Sequence, residues 1–264
     1  IDIRMNVVFQ YNAKNTTKTS ETLISNVRDT ILNFNTNNLS TFDGVFRHSQ
    51  ITRLIDDSDN SITSNITTIK LSKDFVPTLN SPTKYTIPFN NALFNPHSGH
   101  MSDTGGILSS SGFFISGNTN EMFLNDDGNG NVRMFYVQDG TTTTYEDNTA
   151  GTINYVTGEI ILTNLNITSI STVDGATSTS IRLIVTPESN DVVGVRNQVV
   201  RIDTGALTIS STVDSIATGS SAAGIGVSTT SSYSGTTSTT SSTTTSTSGS
   251  TSSSSSSGSS SSGY

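Results

Sequence analysis

Between Met5 and Phe75 the apolar residues switch repeatedly between a period of two and a period near 3.6, and this alternation constrains the chain more than any other feature. In M-N-V-V-F-Q-Y-N, Val7, Phe9 and Tyr11 alternate with Asn6, Val8 and Gln10, which predicts a strand with one buried face. A polar turn, Asn12 to Lys18, follows. Thr19 or Ser20 is placed to accept from the free N–H groups of a first helix, S-E-T-L-I-S-N-V-R-D-T-I-L-N-F, and Glu21 complements the positive end of its dipole. Ile24, Val27, Ile31 and Phe34 form one apolar stripe, and the asparagines at 33, 35, 37 and 38 end the helix near Phe34.

A short strand, G-V-F-R-H, comes next, and Ser49 caps a second helix whose Ile51, Leu54 and Ile55 face inward. Asp56, Asp57 and Asp59 put negative charge where a helix C-terminus disfavours it, so the helix stops there. In the third strand, I-T-T-I-K-L-S-K-D-F, Ile69 and Leu71 share a face. Two βαβ units in series with right-handed crossovers predict a ferredoxin-like βαβαβ domain over residues 1–80, with both helices on one side of a small sheet. Such a fold hosts many functions and by itself decides none.

From residue 81 to 204 the helical period disappears. Short segments recur, among them Y-T-I-P-F, E-M-F-L, V-R-M-F-Y-V, E-I-I-L-T-N and I-R-L-I-V-T, separated by turn-rich spacers. That rhythm predicts an antiparallel β-sandwich or barrel-like domain, giving an α+β chain overall. N-D-D-G-N-G-N (125–131) and V-T-G-E (156–159) are hairpin turns whose glycines supply positive φ. Residues 205–264 collapse toward Ser, Thr and Gly. Such a segment cannot bury enough apolar area to offset ordering costs of about 1–2 kcal/mol per residue, so a disordered tail is expected. Its opening, A-L-T-I-S-S-T-V-D-S-I, still alternates and is a candidate edge strand for the sandwich or for a neighbour.

The composition bears on partners. Net charge is -8, and 13 Lys plus Arg are scattered singly, whereas nucleic-acid binding needs clustered positive charge to displace counterions. No apolar run approaches the roughly 18 residues of a membrane helix, and no charged leader precedes an apolar run. The first residue, Ile1, suits the C-terminal part of a longer protein. With no cysteine there is no disulfide framework and no thiolate zinc site.

The best metal candidate is N-P-H-S-G-H-M-S-D, with His97, His100 and Asp103 at spacings of three. Two imidazoles and a carboxylate can bind a divalent ion and leave a position open for hydrolysis. The plainer reading is a glycine-bearing loop with no helix to align the ligands, and no metal or cofactor is expected. N-D-D-G-N-G-N opens like a calcium loop, but Tyr136 stands where the bidentate carboxylate is required. His48 and Ser49 are sequence neighbours without an orienting carboxylate, and Glu146, Asp147, Glu188 and Asp191 read as solvated turn residues. No motif of a nucleophile elbow, phosphate loop or zinc protease occurs. No catalytic residue is assigned, no small-molecule substrate is evident, and a non-enzymatic role is expected.

S-E-T-L-I-S-N-V-R-D-T-I (20–31), F-D-G-V-F-R-H-S-Q-I-T-R-L-I-D (42–56) and the T-T-I-K-L strand resemble the C-terminal region of the baseplate J-like family, more closely the wedge subunits of the inner baseplate ring in large contractile-tailed bacteriophages. The resemblance continues at I-N-Y-V-T-G-E-I-I-L (153–162) and S-N-D-V-V-G-V-R-N-Q-V-V-R-I-D (189–203). It implies a structural subunit of the virion's tail baseplate, assembled in the host cytoplasm. It further implies self-association into dimers within a ring, contacts with other wedge proteins, and a part in triggering sheath contraction. The alternative is a carbohydrate- or surface-binding β module of an adhesin, with the Ser/Thr tail as linker; the chain has no Trp to build an aromatic platform.

Overall fold

The computed structural model describes residues 1–39, 44–100, 105–195 and 198–215. The first strand, β1 (Asp2–Tyr11), buries Ile3, Met5, Val7 and Phe9 completely, as its alternation requires. The helix α1 (Ser20–Phe34) is capped by Thr19, whose hydroxyl accepts the Thr22 N–H at 3.3 Å. Backbone and hydroxyl donors at this terminus hold the Glu21 carboxyl below its ordinary range. Leu23, Val27, Ile31 and Phe34 are buried with Ile24 only partly so, which turns the stripe slightly from the expected one. The helix does not fray at Phe34. It widens into a π-helical turn, Asn35–Leu39, because Leu39 finds a fully buried place and Asn35 Oδ1 accepts the Ile202 N–H at 2.8 Å.

After the two-residue strand β2 (Val45–Phe46) comes α2 (His48–Asp56), with Ile51 and Ile55 buried. The long strand β3 (Ile62–Phe75) then pairs with β1 antiparallel, in a register that sets Val7 opposite Thr67 and Ile3 opposite Leu71.

The next strands are β4 (Thr83–Pro88), β5 (Ser109–Ser110), β6 (Phe113–Ile115), β7 (Met122–Asp126), β8 (Asn131–Gln138), β9 (Thr142–Asn154), β10 (Glu159–Leu165) and β11 (Ile167–Ile170). All but β5 form one antiparallel sheet in the order β11-β6-β7-β8-β9-β10-β4. Its edge strand β11 is separated from β10 by Asn166 alone, so one bent run of chain serves one edge of the sheet and the strand next to the other edge. Register shifts in the β8–β9 pair between Val132 and Phe135 add local twist. The result is a curled half-barrel, in place of the two flat layers of a sandwich. Its concave side buries Ile87, Phe113, Met122, Leu124, Val132, Ile153, Ile160 and Leu162.

The last strands are β12 (Thr172–Val173), β13 (Ala176–Thr177), β14 (Ile181–Val185), β15 (Val192–Val193), β16 (Arg201–Ile202) and β17 (Thr208–Val213). They return the chain to the first sheet: β14 lies antiparallel to β3 and carries β5 on its other side, while β16 and β17 run parallel to β1. β15 pairs with β2 in a separate ribbon. The ferredoxin-like expectation is therefore corrected. Parallel crossovers would align β1, β2 and β3 in one direction, whereas β1 and β3 are antiparallel neighbours and β2 lies outside their sheet. Only Val45 and Phe46 have strand geometry in that segment, since Arg47 and His48 already serve the start of α2. The alternating segment after residue 205 does form an edge strand, β17, and it joins β1. One compact unit spans Ile1–Val213 around a contiguous apolar core, and a second, Asp214–Tyr264, holds the Ser/Thr-rich tail, nearly all of which lies outside the described residues.

Candidate functional site

A dense polar cluster sits where β7 ends. Asp126 is 1% exposed. Its Oδ1 accepts the Leu108 N–H at 2.8 Å, and its Oδ2 accepts the Tyr155 hydroxyl at 2.6 Å and the Gly128 N–H at 3.3 Å. Burial, then the Asp126 carboxylate, make the Tyr155 hydroxyl much less acidic than an ordinary phenol. Beside it Arg133 donates from Nε to Asn125 Oδ1 at 3.0 Å and from Nη2 to the Asp126 carbonyl at 3.0 Å, while its guanidinium lies 4.4 Å from the centre of the Tyr145 ring. Burying a carboxyl group is costly unless donors satisfy its oxygens, and here they do. The backbone closes round it: a Cβ on Gly106 would stand 2.1 Å from Asp126 Oδ2. This is a structural hub. Tyr155 spends its proton on Asp126, and the open depression alongside, about 570 Å³ and lined by Asn95, Gly128, Asn129 and Tyr155, has no activated nucleophile.

The same hairpin positions the histidine loop. Gly128 O accepts from the Gly99 N–H at 3.0 Å and Asn95 Nδ2 at 3.3 Å, and Ser98 Oγ donates to Asn129 Oδ1 at 2.6 Å. His97 and His100 are brought together, with Nε2 of the first 3.4 Å from Nδ1 of the second and their rings nearly perpendicular. Phe94 stacks edge-on against His100. Asp103, the third member of the expected set, lies outside the described residues. Among the described residues no group of three or more His, Asp or Glu side chains is placed to hold a metal ion. The calcium-like run 125–131 is a hairpin turn, with φ of 73° at Gly128 and 102° at Gly130, and Asp127 satisfies the N–H groups of Asn129 and Asn131.

His48 and Ser49 do not make a nucleophile and base. His48 Nε2 lies 2.9 Å from the Thr67 carbonyl, which only accepts, so that nitrogen carries the proton. Ser49 is not the helix cap either. Asp191 takes that role from far along the chain, accepting the His48 N–H at 2.9 Å and pairing with Arg47 at 2.7 Å. Those two partners hold the Asp191 carboxyl below its usual range. The sequence predicts only a solvated turn residue at Asp191, since nothing local marks it; its role exists only because β15 pairs with β2.

Ion pairs fasten the returning strands. Arg182 on β14 grips Asp74 of β3 through two bonds, 2.7 and 2.9 Å, and reaches Asp174 at 2.5 Å and Asp203 at 3.7 Å. Arg4 also pairs with Asp174, at 2.9 Å, and Arg201 pairs with Asp2. Each of these contacts joins segments distant in sequence except Asp174–Arg182. These contacts among the described residues hold strands together.

Residues 2–74 match the model of a family described as baseplate structural protein gp6, C-terminal domain III. The matched segment runs from the first residue of β1 to the last but one of β3, just over a quarter of the chain. It supports a structural role in a phage baseplate, contacts with other baseplate components, and a place in the tail baseplate of the virion. A family of structural proteins is in keeping with a non-enzymatic chain. The match does not extend to the narrower baseplate J-like assignment. Comparison with curated proteins gives no match. No helix among the described residues is long and apolar enough to cross a membrane.

Proposed function

We propose that this chain is a structural subunit of the baseplate wedge and inner ring of a contractile phage tail, related to the baseplate J-like proteins, and that it works through protein interfaces. It associates with itself as dimers within a ring and with other wedge proteins, is assembled in the host cytoplasm, and transmits the rearrangement that releases the sheath. The observation carrying the reading is the family match over residues 2–74, which coincides with the sheet and helix layer from β1 to β3. Residues 81–204 act in it as the second structural region, Thr208–Val213 complete the sheet around β1, and the Ser/Thr-rich chain that follows is an appended tail. The polar clusters support the same reading, since they brace strands against one another.

Mass spectrometry of purified virions, before and after the baseplate is separated from the sheath, tests the location. The chain is expected to fractionate with the baseplate. Native mass spectrometry of the full chain at tens of micromolar tests self-association, and a strict monomer that also fails to bind other baseplate subunits overturns the ring reading.

A further inference from the structure

The sheet of β1, β3, β14 and β17 has two unlike faces. One buries Ile3, Met5 and Val7 of β1 with Ile69 and Leu71 of β3, and the helices lie on that side. The other face is uncovered, since Asn6, Ile66, Thr68, Lys70 and Thr208 are exposed and Ile66 is 69% so. The register across it pairs Val8 with Ile66, Asn6 with Thr68 and Arg4 with Lys70. Like charges set directly opposite repel at the short cross-strand distance. Arg4 is answered by Asp174, but among the described residues Lys70 meets no carboxylate. The two cations line a groove of about 430 Å³, together with Thr68, Thr208, Ile184 and Ala206.

We infer that this groove is a docking site for a carboxylate-bearing segment of a neighbouring baseplate subunit, one that places an aliphatic side chain against Ile184 and a carboxylate on Lys70. The inference rests on the baseplate reading for the identity of the partner, though the chemistry of the groove stands apart from it. Charge decides the occupant. One ammonium with no carboxylate partner among the described residues suits a single carboxylate, whereas a nucleic-acid backbone or an anionic lipid surface needs several clustered cations. The apolar pair Val8 and Ile66 lies two register steps further along, about 13 Å at 3.3 Å per residue, and extends the contact for a segment in strand conformation.

The test uses 4-methylpentanoate, which joins a carboxylate to a branched aliphatic chain, titrated into the isotopically labelled full chain and followed by backbone amide shifts. Shifts confined to Arg4, Asn6, Thr68, Lys70, Ile184 and Thr208 are expected, with affinity weakened about fivefold or more in Lys70→Glu and retained in Lys70→Arg. Equal shifts from hexylammonium, shifts centred elsewhere, or unchanged affinity in Lys70→Glu overturn the groove. In phage carrying Lys70→Glu the chain is expected to accumulate outside assembled baseplates, while Lys70→Arg restores incorporation. Normal incorporation of Lys70→Glu overturns the docking role even if the small carboxylate binds. Absence of the wild-type chain from baseplates defeats the baseplate reading alone, because the titration still decides the groove. Lys70 is exposed, so matched thermal unfolding of all variants is the expected control.

Discussion

Asp126 shows how much one side chain can hold when it is turned inward. Its three donors come from three separate segments, at Leu108, Gly128 and Tyr155, so the carboxylate ties a loop, a turn and a hairpin together. Asp126→Asn substitutes an NH₂ for one accepting oxygen and forces a donor against a donor. A loss of about 2–3 kcal/mol is expected, read as a fall of roughly 4–10 °C in the midpoint of thermal unfolding. Nothing in N-D-D-G-N-G-N announces this, since both aspartates look alike as turn residues. The difference arises because β7 is buried on both faces at its end, and alternation cannot report that. Asp59 presents the opposite case, a charge stop at a helix end that was legible and carries more than a stop. Lys18 Nζ at 2.6 Å, then the Ser61 hydroxyl, lower its pKa to about 2 from an ordinary 3.8. A depressed carboxylate contributes stability that is complete above its unfolded value and is lost as pH falls through the folded one. Stability should therefore decline between about pH 4 and pH 2, and Asp59→Asn should flatten that part of an acid-unfolding profile; an unchanged slope would remove Asp59 from it.

At the scale of elements, the apolar periods located β1, α1, α2 and β3 to within a few residues, because each buries a face that the sequence writes in its own period. What periodicity does not carry is the partner of each edge. The ferredoxin-like expectation puts β2 in one sheet with β1 and β3, yet Phe46 is buried through a pairing with Val192, and the helix after it begins on a carboxylate 143 residues away. Asp191→Ala removes both the cap and the Arg47 pair, so a loss of about 1–2 kcal/mol is expected, concentrated in α2. Hydrogen exchange should show earlier opening of amides 48–56 while β7 and β8 stay protected; uniform loss of protection would argue against a local cap. The edge strand β17 offers a second element test. Thr208–Val213 pairs with six consecutive residues of β1, and Leu207 is nearly buried as the strand begins. A chain ending at Ser215 should unfold at the temperature of the full chain, whereas one ending at Ala206 should lose about 2–5 kcal/mol. Equal stability of the two truncations would show that β17 contributes nothing.

Over the whole molecule the first sheet is completed by chain that arrives last. Residues 1–80 supply β1 and β3, but β14, β16 and β17, which flank them, come from beyond residue 180. Arg182 fixes that arrangement from the centre, bridging Asp74 and Asp174, and those carboxylates in turn raise the pKa of its guanidinium further above its already high value. A contiguous core crosses the boundary that the change of period near residue 80 suggested. The period change is real, because a two-period layer does give way to an all-β half-barrel. It marks a change of local structure, and cooperativity follows contacts. Unfolding of the full chain in urea, followed by far-ultraviolet dichroism and by tyrosine fluorescence, is expected to give coincident midpoints. Arg182→Met keeps the aliphatic stem and deletes the charge, leaving Asp74 and Asp174 crowded on one side of the sheet. It should lower both midpoints together, by about 1–3 kcal/mol, and a fragment of residues 1–80 should show no cooperative transition. Separate midpoints in the wild-type chain, with only the first moved by Arg182→Met, would mean that the sheet around β1 and β3 and the half-barrel fold independently.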